Sequence, residues 1–177
     1  VSAFIAHFKI GDVTLVGESI GGTVPLVMAA GANPEISRVV ALDPIGAAPK
    51  PLARSSAAGA IFHGAVSTRI LGEFVLRIRS ARASKAVLKG AVAKTDSIPT
   101  KYFTDLMTIA QRPDFAKAQL AFIRNAEAWS EVTNRLSEVT TETFILWGAD
   151  GWATAEQRAA FTARLPNAES RTLEGCG

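Results

Sequence analysis

Cysteine is nearly absent from these 177 residues: Cys176 stands alone, so no internal disulfide can form and no cysteine cluster can hold a metal. A chain without a disulfide framework suits a reducing compartment, and a cytoplasmic setting is the favoured expectation. Long apolar runs are missing too. The longest, TVPLVMAAGA at 23–32, falls short of the about 18 residues that a membrane span needs. Histidine is scarce, with only His7 and His63. Residues 1–10 lack the charged-then-apolar pattern of a leader, and the chain opens on Val1, so further residues are expected before it. Repeats and low-complexity tracts are absent as well. What is present, 48% hydrophobic and 20% charged residues, describes an ordinary globular domain of one core, with room for an insertion.

Acid is scarce in one region only. Residues 51–101 carry nine basic side chains (Arg54, Arg69, Arg77, Arg79, Arg82, Lys85, Lys89, Lys94 and Lys101) against Glu73 and Asp96. That is a net of +7, which leaves −4 for the rest of a +3 chain. The asymmetry marks a segment to be separated from its flanks.

The flanks read as alternating strand and helix. VTLV (13–16) is short, β-branched and bounded by glycine, the pattern of a buried strand. Ile20 to about Gly31 is helical in period, with Val24, Val27 and Met28 on one face, and Pro25 is tolerable there if it falls in the first turn. RVVALD (38–43) is a second buried strand, so the unit is a parallel βαβ. After the proline-rich PIGAAPKP (44–51) the chain turns helical. Leu71, Phe74, Val75 and Ile78 form one predicted apolar face; Phe122, Ala126, Trp129, Val132 and Leu136 form another along a helix at 119–136. Strand character returns at TFILWG (143–148), followed by a helix at 154–165 and a strand at 169–173. The predicted organisation is core at 1–50, a helical lid at 51–138, and core again at 139–177.

The first strand ends in Gly17-Glu18-Ser19-Ile20-Gly21, which fits G-x-S-x-G. Alone the pattern is weak; between a strand and a helix it is specific. The chemistry needs a turn tight enough to force the serine into a strained backbone conformation. Side chains two residues either side would collide, hence glycine at 17 and 21. The Ser19 hydroxyl then stands clear of the sheet, with the Ile20 N–H aimed at an incipient oxyanion. The competing reading is a serine that caps the helix. A phosphate loop is excluded, because neither G-x-G-x-x-G nor a terminal GK[ST] is present.

Taken together, LVGESIGGTVPLVMAA…ISRVVALDP, ILWGADGWAT and LPNAESRTLEGCG resemble the α/β-hydrolase superfamily, in its serine esterase or lipase-like branch and over the C-terminal part of the domain. The resemblance covers roughly residues 1–50 and 140–177. It implies an α/β fold with a mostly parallel sheet, flanking helices and an inserted helical lid. Its chain order is nucleophile, acid, histidine. Ser19 then takes the nucleophile position, Ile20 the oxyanion hole, and Asp150 the acid after LWGAD. The family's usual spacing is G-x-x-D, so Asp150 comes one position early and Gly151 fills the usual slot. Asp43, after VVALD, is the alternative acid. The histidine is implied directly after LEGCG; neither His7 nor His63 suits that role. The chain is therefore expected to be a piece of a longer protein, cut at both ends and unable to turn over by itself.

What the resemblance implies for the parent is a carboxylesterase-like hydrolase acting on a small-molecule ester or acyl bond, with no cofactor, no metal and no nucleic acid partner. Serine at the elbow argues against the aspartate-based epoxide hydrolases and haloalkane dehalogenases. C–C bond hydrolysis, thioester hydrolysis and haloperoxidase-type chemistry stay open, as does a non-catalytic binding protein. Trp147 reads as core and Trp152 as a candidate pocket residue, while Cys176 reads as a small packed turn residue. The basic segment reads as a solvated helical face, ahead of a membrane surface or an anionic substrate.

Overall fold

The computed structural model describes residues 1–31, 33–44, 46, 61, 64–66, 68, 71–77, 84–85, 92–125 and 133–177. In chain order the elements are helix α1 (Ser2–Phe8), strand β1 (Val13–Glu18), helix α2 (Ile20–Ala30), strand β2 (Ile36–Leu42), helix α3 (Leu71–Arg77), a 3-10 turn (Thr95–Ser97), helix α4 (Thr100–Ala110), helix α5 (Phe115–Arg124), a 3-10 turn (Leu136–Glu138), strand β3 (Glu142–Gly148), helix α6 (Ala155–Thr162) and strand β4 (Ala168–Leu173).

The four strands form one sheet in the order β1-β2-β3-β4, every pair parallel. Parallel neighbours require a crossover, and α2 supplies the first, α6 the last. The register aligns Glu18 with Leu42, Leu42 with Leu146 and Gly148 with Leu173, so the carboxyl ends lie along one edge of the sheet, with β3 and β4 running two residues further than β1 and β2. In open parallel sheets this end is where ligands are met.

VTLV was expected to be buried on both faces. In β1 burial instead alternates: Leu15 packs on the core while Val16 is 64% exposed. The cause is position, since among the described residues β1 has a strand neighbour on one side only and α2 packs against it. Pro25 also departs from expectation, sitting at the sixth residue of α2 rather than in its first turn. It has no N–H to offer the Gly21 carbonyl four residues back. That carbonyl lies against Gly17, where an added Cβ would clash with its oxygen.

Residues divide into two compact units, Val1–Pro49 with Ala128–Ala149 and Ala153–Cys176, and Lys50–Glu127 with Asp150–Trp152 and Gly177. The first is built on Leu26, Val39, Ala41, Leu136, Val139 and Ile145, all at most 1% exposed. Trp147 meets Phe161 edge to face at 5.6 Å and 89°, which is worth about 0.5–1.5 kcal/mol beyond the area buried. Leu136, assigned by helical period to the lid, is buried in this core instead. The predicted helix at 119–136 is realised as α5, which begins at Phe115 and caps at Asn125, while residues 126–132, including Trp129 and Val132, lie outside the described residues.

The second unit centres on Val66, Leu76 and Leu120. Here the predicted face of α3 is displaced. Of that face Val75 does pack against the core, but Leu71 and Phe74 are 53% and 61% exposed, and the buried side is completed by Gly72 and Leu76. A Cβ on Gly72 would lie 2.4 Å from the Val66 carbonyl, so the helix uses its glycine to approach closely. Ile78, the last residue of the predicted stripe, lies outside the described residues.

Candidate active site

The turn between β1 and α2 is built by exclusion. Ser19 has φ 54° and ψ −119°, values that a type II′ turn reserves for glycine at its first corner. For a residue with a Cβ this costs on the order of 1–3 kcal/mol, and it persists only where the surroundings over-determine it. Those surroundings are visible. The Ser19 N–H donates to the Leu42 carbonyl at 2.8 Å, which ties the corner to the end of β2. The Ser19 carbonyl accepts from the Gly22 N–H at 3.1 Å and the Thr23 N–H at 3.2 Å, starting the helix.

Gly17 and Gly22 are the residues that the turn squeezes. A Cβ on Gly17 would be 2.8 Å from the Gly22 nitrogen as well as against the Gly21 oxygen, and one on Gly22 would be 2.9 Å from the Gly17 carbonyl. Gly21, which the motif singled out, has nothing within 4 Å of where a Cβ would stand. The steric requirement therefore sits at 17 and 22. The doublet Gly21-Gly22 was the available signal, and the motif pointed to its wrong member.

Ser19 does not cap α2 with its side chain, and no described residue hydrogen-bonds its hydroxyl. The helix-cap reading of this serine is thereby set aside. The Ile20 N–H is among the first-turn donors that a helix leaves without an internal acceptor, and none is found for it among the described residues. A free hydroxyl and a free N–H thus occupy adjacent residues of one rigid corner.

Asp43 lies one residue beyond β2. Its backbone is also left-handed (φ 40°), its N–H donates to the Leu146 carbonyl at 2.9 Å, and both carboxylate oxygens accept the Gly148 N–H at 3.1 Å. Burial pushes its pKa up; the Gly148 N–H and the charge of Arg158 pull the other way. Glu18, beside the serine, is also raised, first by burial and then by the Asp43 charge, so the structure brings two carboxyl groups together at this end of the sheet.

Asp150 belongs to the turn that follows β3 and is exposed. It is placed with the second compact unit, as are Gly151 and Trp152. The rest of this turn is gripped by Arg158 of α6, whose Nη1 donates to the carbonyls of Gly148 (3.1 Å), Ala149 (3.2 Å) and Ala153 (3.0 Å). Thr154 caps α6 in a reciprocal capping box with Gln157. Sequence reasoning missed Gly22, Glu18 and Arg158; a basic residue in a surface helix carries no sign that it faces inward.

His7 is exposed on α1, edge-on to Phe8 at 4.8 Å, and His63 lies outside the described residues. Trp147 is 2% exposed, and the indole N–H groups of both Trp147 and Trp152 are buried with no partner among the described residues. Cys176, expected to pack, is exposed beyond the end of β4, after Gly175 at φ 69°. No cluster of His, Cys, Asp or Glu suited to a metal occurs among the described residues, and no described helix is long and apolar enough to cross a membrane. Within the basic segment, Lys85 and Lys101 pair with Asp96 and Asp105, each at 2.6 Å; Arg54, Arg69, Arg79, Arg82 and Lys89 lie outside the described residues.

The sequence matches the profile of the "Alpha/beta hydrolase family" over residues 1–177. No curated protein matches it. Among solved structures it is similar to a serine hydrolase from the polyaromatic-hydrocarbon-degrading bacterium Cycloclasticus zankles (14% identity, TM-score 0.72, covering 98% of this chain and 60% of that one). It is similar to 2-hydroxy-6-oxo-6-phenylhexa-2,4-dienoate hydrolase from Rhodococcus sp. strain RHA1 (18%, 0.72, 98% and 59%). The haloalkane dehalogenase DatA from Agrobacterium tumefaciens C58 is a third (16%, 0.73, 99% and 62%). The chain thus spans about 60% of the length of these structures. At such identities the likeness speaks for the fold.

Proposed function

This chain belongs to the alpha/beta hydrolase family, and from that premise we propose that its parent hydrolyses an ester or related acyl bond through an acyl-enzyme. One observation carries the reading: a serine held at φ 54°, uncommitted to any hydrogen bond from its hydroxyl, followed at once by an unpartnered N–H. Strain of this kind is retained where it serves a site, and an ordinary cap would accept a helix N–H instead.

In the proposed mechanism the Ser19 Oγ attacks the acyl carbon while a histidine takes its proton. That histidine is assigned to the part of the relatives' length that these residues do not span. Charge develops on the acyl oxygen opposite the Ile20 N–H, which is fixed before reaction and so costs no reorganisation. The bond to the leaving group breaks as the histidine returns the proton to it. Water then repeats the cycle on the acyl-serine. Asp150 orients the imidazole and stabilises its charged form. No step calls for a metal or an organic cofactor, and the proposed substrate is a small ester.

The test is active-site labelling of the parent protein, with its native flanking sequence, by a fluorophosphonate. Stoichiometric modification on the peptide that contains Ser19 is expected, with loss of p-nitrophenyl acetate hydrolysis by roughly 10⁶-fold in S19A. Labelling elsewhere, or none while the protein is folded, would overturn the assignment. Neither outcome depends on which ester is the natural substrate.

A further inference from the structure

The turn that carries the proposed acid is gripped from two sides by charged groups that the mechanism does not use. On one side the Asp43 carboxylate takes the Gly148 N–H on both oxygens at 3.1 Å. On the other the Arg158 guanidinium donates to the Gly148, Ala149 and Ala153 carbonyls at 3.0–3.2 Å. The same peptide residue, Gly148, therefore gives its N–H to an anion and its C=O to a cation. Ala149 and Ala153 bracket residues 150–152, so the guanidinium closes the loop across its base. Asp43 is itself fixed, because its N–H donates to the Leu146 carbonyl, and Leu42 just before it accepts the N–H of Ser19.

We infer that Asp43 and Arg158 are positioning residues that fix the acid turn relative to the carboxyl ends of the strands. This rests on the reading of Asp150 as the acid. The physical argument concerns tolerance. A catalytic carboxylate on an exposed residue must be held within a fraction of an ångström, and the apolar burial of Ala153 at the end of the turn does not by itself fix the direction of the peptides at 148 and 149. Ionised side chains make the stronger hydrogen bonds to backbone groups, and two of opposite sign on one turn fix both the translation and the tilt of its peptides. Asp43 pays for this with a desolvated carboxylate at a left-handed backbone position, a cost that a merely solvated loop carboxylate would not bear. Arg158 offsets part of that cost by its charge.

The experiment uses the parent protein with its native flanks and p-nitrophenyl acetate, comparing D43A, D43N, R158M, R158K and D150N. If the pair positions the turn, D43A and R158M lower kcat by about 100-fold, the penalty of misplacing a catalytic group by roughly an ångström, with KM within about twofold. The acidic limb of the pH–kcat/KM profile moves to lower pH in both, because a displaced carboxylate no longer favours the charged imidazole. A merely structural role would lower the melting temperature and leave that limb in place. D43N, which keeps an acceptor for the Gly148 N–H, recovers most of the D43A loss, and R158K recovers part of the R158M loss.

Failure of the inference and failure of the underlying reading give different patterns. Unchanged kcat and limb in folded D43A and R158M, with D150N inactive, overturn the clamp and leave Asp150 as the acid. An active D150N beside an inactive D43N makes Asp43 itself the acid and overturns both. Should D43A or R158M fail to fold, the conservative pair decides: D43N as damaging as D150N, or a limb that stays put in R158K while kcat falls, counts against positioning.

Discussion

Two turns at the same end of one sheet are held by different physics. The corner at Ser19 is set by what cannot fit: Gly17 and Gly22 press backbone against backbone, and the serine is left in a conformation it would not choose. The turn after Gly148 is set by what is attracted: an aspartate on one side, an arginine on the other, five polar contacts in all to Gly148, Ala149 and Ala153. Steric definition is unforgiving and insensitive to pH or salt. Polar definition is adjustable and depends on charge state. On the proposed reading, a nucleophile that needs one direction suits the first, and an acid that must follow its partner suits the second.

Breaking the steric half should cost most. Gly17→Ala drives a Cβ into the Gly21 oxygen, a backbone atom that cannot swing aside. A loss of about 3 kcal/mol, the upper end for overpacking, is expected in chemical denaturation. Relieving the strain should act in the opposite direction: Ser19→Gly is expected to stabilise the fold by about 1 kcal/mol while removing the proposed nucleophile, readable as a raised melting temperature with no labelling. The contrast with Gly17 is sharpest at Gly21→Ala, where the space is open and the position helical, so a gain of about 0.5–1 kcal/mol follows from helix propensity. A destabilising Gly21→Ala would return the steric requirement to the place where the motif put it.

The smallest effect probes the polar half. The pKa of Asp43 is raised in the folded state, chiefly by burial, so folding binds its proton more tightly than the unfolded chain does. Stability from this group is therefore fully present below the unfolded carboxylate pKa of about 4 and is lost as pH rises through the higher folded value. Asp43→Asn removes the dependence. Its melting temperature relative to the parent should rise between acidic and neutral pH, and a difference that stays flat would show that the carboxylate is not desolvated in solution.

The same contrast explains what could be read from the sequence. Strands betray themselves by β-branched runs, and β2 and β3 were located to within two residues of their observed bounds. The Ser19 corner was legible because a steric demand is written in glycine. Where glycine serves close approach inside a helix, the period of apolar residues misleads: Gly72, invisible to any hydrophobic count, turns α3 so that Leu76 is buried and Phe74 is not. Arg158 was illegible for a related reason. Its charge says solvent, and only the fold reveals three carbonyls waiting beneath it. Asp43 reads from the sequence as a rival acid, but nothing in VVALD announces that its partner is an N–H on a strand more than a hundred residues away.

The placement of β1 at the end of the sheet has a consequence for handling this polypeptide. Among the described residues it is bonded to β2 alone, and Val16 stands largely uncovered on it. Free backbone donors and acceptors beside an uncovered valine make a template onto which another copy can add. In this polypeptide, association between copies on dilution from denaturant is thus expected to begin at this margin of the sheet.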